Sequence, residues 1–368
     1  MTVLNVITGN LDRVGGAMFT TPAADLAGLA AVLRQAGSCG SYRSRVRGLP
    51  EFSGELPLAC LAEEIDTPGP GQIRALVTLA GNPVLSGPNA RRLEAALASL
   101  EFMVAIDFYR NQTTRHADVV LPGTFALEHD HYDLLLNALA VRNVARYSAP
   151  VLRPPPSGRE DWQILLELAA GIARRAGGLR ARLHGMQAAF LRRLTPRRLI
   201  ALALRFGRYG TGLHPFRKGL SLRHLERAGQ TIDLGPLQPG RLPRRLSTKT
   251  KTILLAPEPM PADLQRVHAS FGRAPAIEEL VLTGRRQLRG NNSWMHNVPR
   301  RMKGTDRCTP WMNPAEAARL GLADSQQVVI KSSAGTLEAP LQVTDEIRQG
   351  VVSPPTATVT AGTAPGRP

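Results

Sequence analysis

Cysteine is scarce in this sequence, and its arrangement excludes two classes of site. The three residues, Cys39, Cys60 and Cys308, are odd in number, widely spaced and without a Cys-X-X-Cys pair. We therefore expect neither a disulfide framework nor a cysteine-bound metal or cluster. Two nucleotide motifs are missing as well. There is no Gly-X-Gly-X-X-Gly fingerprint, and GNLDRVGG at residues 9–16 lacks the Lys-Ser/Thr of a phosphate-binding P-loop.

Long hydrophobic runs are also missing. The N-terminal MTVLNVITGN has no basic region and no long apolar run, so it does not predict a signal peptide. The longest apolar run of the basic part of the chain, Leu199 to Leu204, is far below the ~20 residues that a transmembrane helix needs. We expect a cytoplasmic protein without a transmembrane segment.

Acidic residues are few, 29 Asp and Glu against 46 Lys and Arg, and the imbalance is local. Nineteen Lys and Arg lie in the basic segment, Arg174–Lys251, whose only acids are Glu226 and Asp233. This segment therefore carries the whole net charge of +17. Such a surface could bind nucleic acid or an anionic membrane. Its few aromatic side chains give little support to base stacking, so nucleic acid is disfavoured.

Hydrophobic periodicity predicts alternating strands and helices in residues 71–170. IRALVTLAG (73–81), FMVAID (102–107) and ADVVLP (117–122) are typical of buried strands. NARRLEAALASL (89–100) and REDWQILLELAAGIARRAG (159–177) have the 3.6-residue periodicity of helices with one buried face. This order predicts an α/β fold with a parallel sheet covered by helices.

The C-terminal part is predicted to be mainly β. QQVVIKSS and TLEAPLQVT flank Ala334 and Gly335 as a hairpin, and NPAEAARLGL predicts a helix with Asn313 as its N-cap and Glu316 completing a capping box. We predict a small β-barrel here. The expected domains are a loop-rich segment (1–70), an α/β nucleotide-binding domain (71–170), a basic helical insertion or linker (171–276), the barrel (277–353) and a disordered tail (354–368).

Polar residues follow the predicted strands, where open parallel sheets bind ligands. Gly81-Asn82-Pro83 ends one strand, Asp107 ends the next, and Thr113 and Asp118 precede the third. A glycine lets a ligand approach the backbone, and a carboxylate can accept from ribose hydroxyls or a base edge. By pattern alone, a plain turn at 81–83 and a helix cap at Asp107 are the favoured interpretation, because such dipeptides are common.

Several blocks resemble the C-terminal portion of the molybdopterin oxidoreductases, and in particular the formate dehydrogenase-like branch. They are ITGNLDRVGGAMF, LAGNPVLSGPN, VAIDFYRNQTTRHADVVLP, ELVLTGRRQLRGNNSWMHN and MNPAEAARLGLADSQQVVIKSSAGTLEAPLQVTDEIRQGVV. The resemblance implies a cofactor, molybdopterin guanine dinucleotide with molybdenum or tungsten, whose guanosine end lies on the α/β domain. It also implies a molybdopterin dinucleotide-binding barrel.

The family resemblance assigns cofactor-binding roles residue by residue. They fall on Gly81, Asn82, Pro83, Asp107, Thr113, Asp118, Gly284, Arg285, Gln287, Arg289, Asn291, Asn292 and Trp294. Arginine can bind pyrophosphate oxygens through two parallel hydrogen bonds, and asparagine can read a pterin or guanine edge. For Trp294, packing in a core or between domains is an equally good interpretation.

The chain departs from the family pattern in two places. No block matches the family's iron–sulfur cysteines or its metal-binding Cys, selenocysteine or Ser, so we expect no [4Fe-4S] cluster, no metal ligand, no catalytic residue and no turnover by this chain alone. The final PPTATVTAGTAPGRP replaces a His/Gly-rich stretch, which leads us to expect an incomplete barrel.

Two alternatives accompany the oxidoreductase interpretation. The chain could be an inactive cofactor-binding remnant, or a subunit that assembles with a separately encoded N-terminal half or an electron-transfer subunit. Binding of nucleic acid or of a membrane surface by the basic segment ranks below both.

Overall fold

The computed structural model describes residues 2–25, 28, 38–214, 218–257, 260–271, 279–286, 298–301, 303–304, 307–332 and 335–355. The helices are α1 (Thr2–Ile7), α2 (Leu61–Asp66), α3 (Pro83–Ser86), α4 (Ala90–Ala98), α5 (Asp161–Ala176), α6 (Gly178–Arg193), α7 (Pro196–Phe206), α8 (Leu222–Ala228), α9 (Met260–Phe271) and α10 (Pro314–Arg319). The strands are β1 (Cys39–Arg43), β2 (Pro50–Phe52), β3 (Ala75–Leu79), β4 (Phe102–Ile106), β5 (Val119–Val120), β6 (His131–Tyr132), β7 (Val144–Ala145), β8 (Tyr147–Ser148), β9 (Ile232–Asp233), β10 (Val281–Leu282), β11 (Trp311–Met312), β12 (Gln327–Ser332), β13 (Gly335–Pro340), β14 (Gln342–Val343) and β15 (Val351–Ser353).

The predicted parallel sheet is confirmed. Strands β3, β4 and β5 lie in that order and are all parallel, with Leu79 paired to Ile106 and Val104 paired to Val119. Helices α2 and α4 cover one face through a core that contains Ile65, Leu97 and Met103. The carboxyl ends of β3 and β4 are consequently level with each other, so the residues that follow them start from one edge.

The edge strand β3 is more exposed than its apolar sequence predicts. Leu76 packs into the core beneath α2 and α4, whereas Val77 and Leu79 are exposed. The central strand β4 is buried from Met103 to Ile106. The alternating side chains of β3 therefore divide between a covered and an uncovered face.

Local signals explain where the α/β helices begin. Asn89 has a left-handed backbone (φ 53°), and its side chain accepts from the N–H of Arg92 at the start of α4. At α5 the side chain of Gln163 accepts the N–H of Glu160 at 3.0 Å, as in a capping box. Both helices were predicted, and both are confirmed.

The basic segment contributes to a second hydrophobic core. Leu204 of α7 and Leu225 of α8 are fully buried there against Tyr132, Ala145 and Tyr147. Helix α7 begins at a local signal, with Thr195 accepting from the N–H of Arg198 as an N-cap and Pro196 in the first turn. The segment is thus packed on β6–β8.

Asn143 joins three distant parts of the chain in this region. Its Oδ1 accepts from the N–H of Thr21 at 2.6 Å, and its Nδ2 donates to the carbonyl of Pro236 at 2.9 Å. The side chain is buried. A buried amide with both ends paired holds the N-terminal segment and the stretch after β9 on the same loop.

A polar network connects α7 and α8 to β8. The hydroxyl of Tyr147 donates to Asp130 at 2.7 Å, and Arg197 contacts both of these residues and the carboxylate of Glu226. Burial, followed by the hydrogen bond to Asp130, raises the pKa of Tyr147 to about 12. Arg197 therefore holds two carboxylates and a neutral phenol at one junction.

Within the described parts of residues 279–355 the C-terminal strands form no closed barrel, whereas a small barrel, incomplete at its C-terminal end, is expected from the sequence. A mixed four-stranded sheet, β10-β15-β11-β14, stands beside a separate two-stranded hairpin, β12-β13. The predicted hairpin itself is confirmed, with Gln327 paired to Pro340 and Ser332 to Gly335. The chain leaves the hairpin at the buried Leu341, after which Gln342 donates its N–H to Pro310 in the sheet. Side-chain packing around Leu341, rather than a continuous hydrogen-bond ladder, joins the two.

Helix α10 begins as predicted but its capping box does not form. Asn313 accepts from the N–H of Ala315 at 3.0 Å, as an N-cap does. Glu316 instead contacts Arg319 and accepts the N–H of Gly350 at 3.1 Å. The loop before β15 competes successfully for this carboxylate.

The expected disordered tail, 354–368, lies mostly outside the described residues. The first two residues, Pro354 and Pro355, run beside Arg285, whose N–H donates to the carbonyl of Pro354 at 2.9 Å. Among the helices that the structure describes, none is both long and apolar enough to cross a bilayer.

Replacing Tyr147 with Phe tests the polar network by its pH dependence. The variant should lose about 1–2 kcal/mol of unfolding free energy at pH 8, because a hydrogen bond to a partly buried carboxylate is removed. In the folded protein the pKa of Tyr147 exceeds the ordinary value of about 10. The contribution of its hydroxyl to the unfolding free energy is therefore complete below pH ~10 and is lost as the pH rises toward 12. Urea titrations of the unmodified protein and of Tyr147→Phe between pH 10 and 12 should show the difference between their unfolding free energies decreasing. A difference that stays constant to pH 12 would contradict the assignment.

Candidate functional site

The candidate site lies where β3 and β4 end. Beyond the last residue pair, Leu79 and Ile106, the N–H of Ala80 donates to the carbonyl of Ile106 at 2.9 Å, and the two chains then diverge. The chain after β3 turns into the short helix α3, and the chain after β4 forms a loop from Asp107 to His116. Residues from both connections meet at this edge.

Ala80 carries the unusual backbone at the end of β3, a position where sequence reasoning emphasised Gly81. Ala80 has φ 47°, in the left-handed region, whereas Gly81 has no positive φ. A Cβ built on Gly81 meets no atom closer than 3.6 Å. The protein itself therefore does not require glycine at position 81, because a Cβ there would make only ordinary van der Waals contacts.

Asn82 and Thr113 connect the two strand ends. The Thr113 hydroxyl donates to Asn82 Oδ1 at 2.8 Å and accepts the N–H of Val84 at 3.1 Å. Asn82 Nδ2 donates to Gln112 Oε1 at 3.0 Å. Thr113 is fully buried and Asn82 nearly so. Their polar atoms are engaged within the protein, so both side chains position the edge, and Pro83 then begins α3.

Asn111 holds the loop that follows β4. Its Oδ1 accepts from the N–H groups of Thr113 and Thr114 at 2.9 and 3.0 Å, and its Nδ2 donates to Asp107 Oδ2 at 3.2 Å. Sequence reasoning singled out neither Asn111 nor Gln112. The available signal was an Asn placed two and three residues before a Thr pair, which is typical of a side-chain turn.

Asp107 is the half-buried carboxylate at this edge. Its Oδ1 accepts the N–H of Tyr109 at 3.1 Å, and Oδ2 accepts from Asn111. A carboxylate has about four acceptor positions, so capacity remains for donors of a ligand. The loop fixes the orientation of Asp107 without using up its acceptors.

Asp118 lies at the other end of the sheet. Its Oδ2 accepts the N–H of Met103 at 2.7 Å, and its own N–H donates to the carbonyl of Met103 at 2.9 Å. Met103 is near the amino end of β4. The structure therefore does not bring Asp118 together with Asn82, Asp107 and Thr113, and its binding role stays a prediction.

Gly284 and Arg285 lie on the C-terminal sheet. Thr283 and Arg285 donate their N–H groups to the carbonyls of Val352 and Pro354, so Gly284 continues β10 alongside β15. The Arg285 guanidinium lies 3.5 Å from the centre of the Trp311 ring, and its Nη2 donates to the carbonyl of Thr309 at 3.1 Å. Burial lowers the pKa of Arg285, and Glu346 opposes this. The remaining predicted residues, Gln287, Arg289, Asn291, Asn292 and Trp294, fall outside the described residues.

The described residues fit a guanine nucleotide at the β3–β4 edge. Asp107 retains acceptor positions for the N–H groups of a guanine edge or for ribose hydroxyls, and glycine at position 81 places no side chain between the backbone and a ligand. The donor set contains no cluster of three or more His, Cys, Asp or Glu placed for a metal ion within the part of the chain described.

Two family models match most of the chain. "Molybdopterin oxidoreductase" matches residues 2–171, which contain the β3–β4 edge, and "Molydopterin dinucleotide binding domain" matches residues 280–365. The chain belongs to the molybdopterin oxidoreductases. The two matches support a molybdopterin cofactor for this chain.

Similar proteins include enzymes with different substrates. The chain is 34% identical over 104 residues to the assimilatory nitrate reductase catalytic subunit of Bacillus subtilis, covering 28% of this chain and 14% of that protein. It is 32% identical over 117 residues to the F420-dependent formate dehydrogenase subunit alpha of Methanocaldococcus jannaschii, covering 30% and 15%. The matched segments are a small part of these relatives' length.

A solved structure shares the fold. Acetylene hydratase from Pelobacter acetylenicus superposes with a TM-score of 0.56 over 82% of this chain and 39% of that one, at 16% sequence identity. At this identity the likeness establishes the arrangement of the backbone alone.

Replacing Ala80 with Gly should stabilise the protein by about 0.5–1 kcal/mol. The left-handed conformation costs an alanine roughly 1–2 kcal/mol, and the added freedom of the unfolded chain offsets only part of the gain. Urea unfolding measures the difference. Ala95→Gly, the same change on the exposed side of α4, should destabilise by about 1 kcal/mol. If both substitutions changed the unfolding free energy in the same direction, the strain assigned to Ala80 would be contradicted.

Replacing Thr113 with Val should lower the unfolding free energy by about 2–4 kcal/mol. The change keeps the shape but leaves the Val84 N–H and Asn82 Oδ1 without their partner in a buried place. Thr113→Ser keeps the hydroxyl and should lose only about 1 kcal/mol for the missing methyl group. If denaturant unfolding gives equal losses for the two variants, the hydroxyl is not the stabilising group.

Proposed function

We propose that this chain is part of a molybdopterin-dependent oxidoreductase and binds the guanine nucleotide end of its pterin dinucleotide at the β3–β4 edge. The observation that carries the proposal is the placement of Asp107. Its carboxylate is oriented by Asn111 and Tyr109, keeps acceptor positions, and follows β4 where the chain after β3 turns at Gly81.

Each residue of the edge has a distinct part in the proposed binding. Asp107 accepts from N1–H and the 2-amino group of guanine, or from the ribose hydroxyls. Gly81 permits the backbone to approach the nucleotide. Asn82 and Thr113 hold β3 and the Asp107 loop together and contribute through position.

Arg285 is proposed to contact the pyrophosphate of the dinucleotide. Stacking on Trp311 and the hydrogen bond to Thr309 set the plane of its guanidinium. A planar guanidinium can present two parallel N–H groups to phosphate oxygens. The neighbouring Gly284 adds no side chain beside it.

The bound pterin would supply a metal centre that accepts or donates two electrons, with molybdenum or tungsten as the metal. We propose that a separate segment or subunit provides the metal ligand and iron–sulfur carriers, since the matched segments cover only 14% and 15% of two relatives. We propose formate as the first substrate to examine in the assembled enzyme. The sequence blocks resemble the formate dehydrogenase-like branch, and one similar protein is a formate dehydrogenase subunit.

Nucleotide binding by the isolated chain tests the proposal without need of a metal. Calorimetric titration should show guanosine diphosphate binding more tightly than adenosine diphosphate. Asp107→Asn should weaken guanosine diphosphate about tenfold or more, because a charge-assisted hydrogen bond is worth about 1.5–3 kcal/mol. Asp345→Asn, a change at an exposed aspartate of the C-terminal region, is the matched control and should leave the affinity unaltered.

Xanthosine diphosphate separates the two possible contacts of Asp107. Xanthine has an oxygen in place of the 2-amino group, so the amide introduced by Asp107→Asn can donate to it, and binding should recover if Asp107 reads the base. Weakened binding of both nucleotides would place Asp107 on the ribose. Equal binding of guanosine and adenosine diphosphates, unaffected by Asp107→Asn, would refute the proposal.

A further inference from the structure

Helix α7 exposes an apolar stripe on the side opposite to its buried face. Leu204 is 1% exposed in the core, whereas Leu199, Leu202 and Phe206 are 45%, 43% and 58% exposed. The spacing i, i+3, i+7 places these three side chains on one face of the helix. Helix α7 therefore has two apolar faces, one packed in the core and one exposed on the outer side.

The preceding helix α6 repeats this arrangement. Helices α5 and α6 pack as a hairpin, with Ala188 buried. Leu183, Met186 and Phe190, again at i, i+3 and i+7, are 56%, 70% and 63% exposed. Only Leu194 and Thr195 separate α6 from α7. Two consecutive helices thus present apolar stripes away from the core.

Exposed arginines accompany the stripe of α7. Arg198 and Arg205 lie on the flank next to Leu202, seven residues apart and so on one face. Arg198 donates to the carbonyl of Arg193 and Arg205 to that of Gly212. Within the described residues neither forms an ion pair with a carboxylate, unlike Arg197 on the inner side. Their charges are available to an anionic partner.

We propose that α6 and α7 form a basic amphipathic surface that binds anionic lipid bilayers. Helices of this kind lie in the interface plane, with apolar side chains among the acyl chains and arginines at the headgroups. Nucleic acid would use the arginines but has no use for six exposed apolar side chains. The pairing of apolar stripes with unneutralised arginines is what favours a bilayer. This surface is distinct from the β3–β4 edge, and its role does not depend on nucleotide binding.

Vesicle cosedimentation of the whole chain tests the surface. The protein should partition onto vesicles containing phosphatidylglycerol at least tenfold more strongly than onto phosphatidylcholine alone, and added salt should weaken binding. The triple variant Leu199→Ser, Leu202→Ser, Phe206→Ser should lose about tenfold or more of this binding. Arg198→Gln with Arg205→Gln should reduce binding to anionic vesicles and leave the weak binding to neutral ones unaltered.

Matched controls remove the same kinds of group elsewhere. Leu139→Ser, Val141→Ser and Val151→Ser delete three highly exposed apolar side chains outside α6 and α7, and Arg146→Gln with Arg153→Gln deletes two exposed arginines. Both controls should bind like the unmodified chain. Circular dichroism and thermal unfolding establish whether each variant is folded. If the triple variant is not folded, the double arginine variant provides the test.

The alternatives give distinguishable results. Failure to bind phosphatidylglycerol vesicles would overturn the proposal and leave a protein partner as the occupant of the stripes. The proposal would also be overturned if the control variants lost as much vesicle binding as the α7 variants. Salt-sensitive binding to a DNA duplex that the apolar substitutions do not change, in the absence of vesicle binding, would assign the arginines to nucleic acid instead.

Discussion

The buried hydroxyl of Thr113 is the contact on which the candidate site depends. A parallel sheet fixes where β3 and β4 end, but it does not determine where the chain goes afterwards. Thr113 reaches from the loop after β4 to Asn82 and to the backbone of Val84 after β3, so one group joins both connections. Because it is fully buried, any displacement leaves donors and acceptors unpaired.

Asn111 extends this constraint to Asp107, the half-buried carboxylate at the end of β4. Its amide pins the backbone of Thr113 and Thr114 and at the same time orients Asp107. Asp107, the proposed nucleotide contact, is thus the outermost member of a chain of hydrogen bonds that begins at the buried Thr113. The left-handed Ala80 is part of the same turn, and local strain is tolerated where surrounding contacts over-determine the backbone.

The basic segment shows how charge and burial are divided within one stretch of chain. Arg197 and Leu204 face inward, toward Tyr147 and the second core, while Arg198, Arg205 and the apolar stripe of α7 face outward. The net charge of the whole segment does not distinguish the inward residues from the outward ones. Arg197 is neutralised by Asp130 and Glu226, so it contributes nothing to an external anion, whereas the arginines on the outer flank do. The proposed bilayer contact depends on this division.

The sequence by itself determined the elements whose signals are local: the three parallel strands, α4 and α5 with their caps, α7 behind Thr195-Pro196, and the hairpin β12-β13. Each depends on hydrophobic period or on a capping side chain within four residues. It also indicated the family, and it placed Asn82, Asp107 and Thr113 near strand ends. Only the tertiary structure decided that Asp118 lies at the opposite end of the sheet, that Glu316 binds Gly350 instead of closing a capping box, and that the C-terminal strands form a sheet and a hairpin in place of a barrel. It likewise separated the inner from the outer face of α7. These outcomes depend on contacts between residues distant in sequence, which compete with the local pattern and have no local signal of their own.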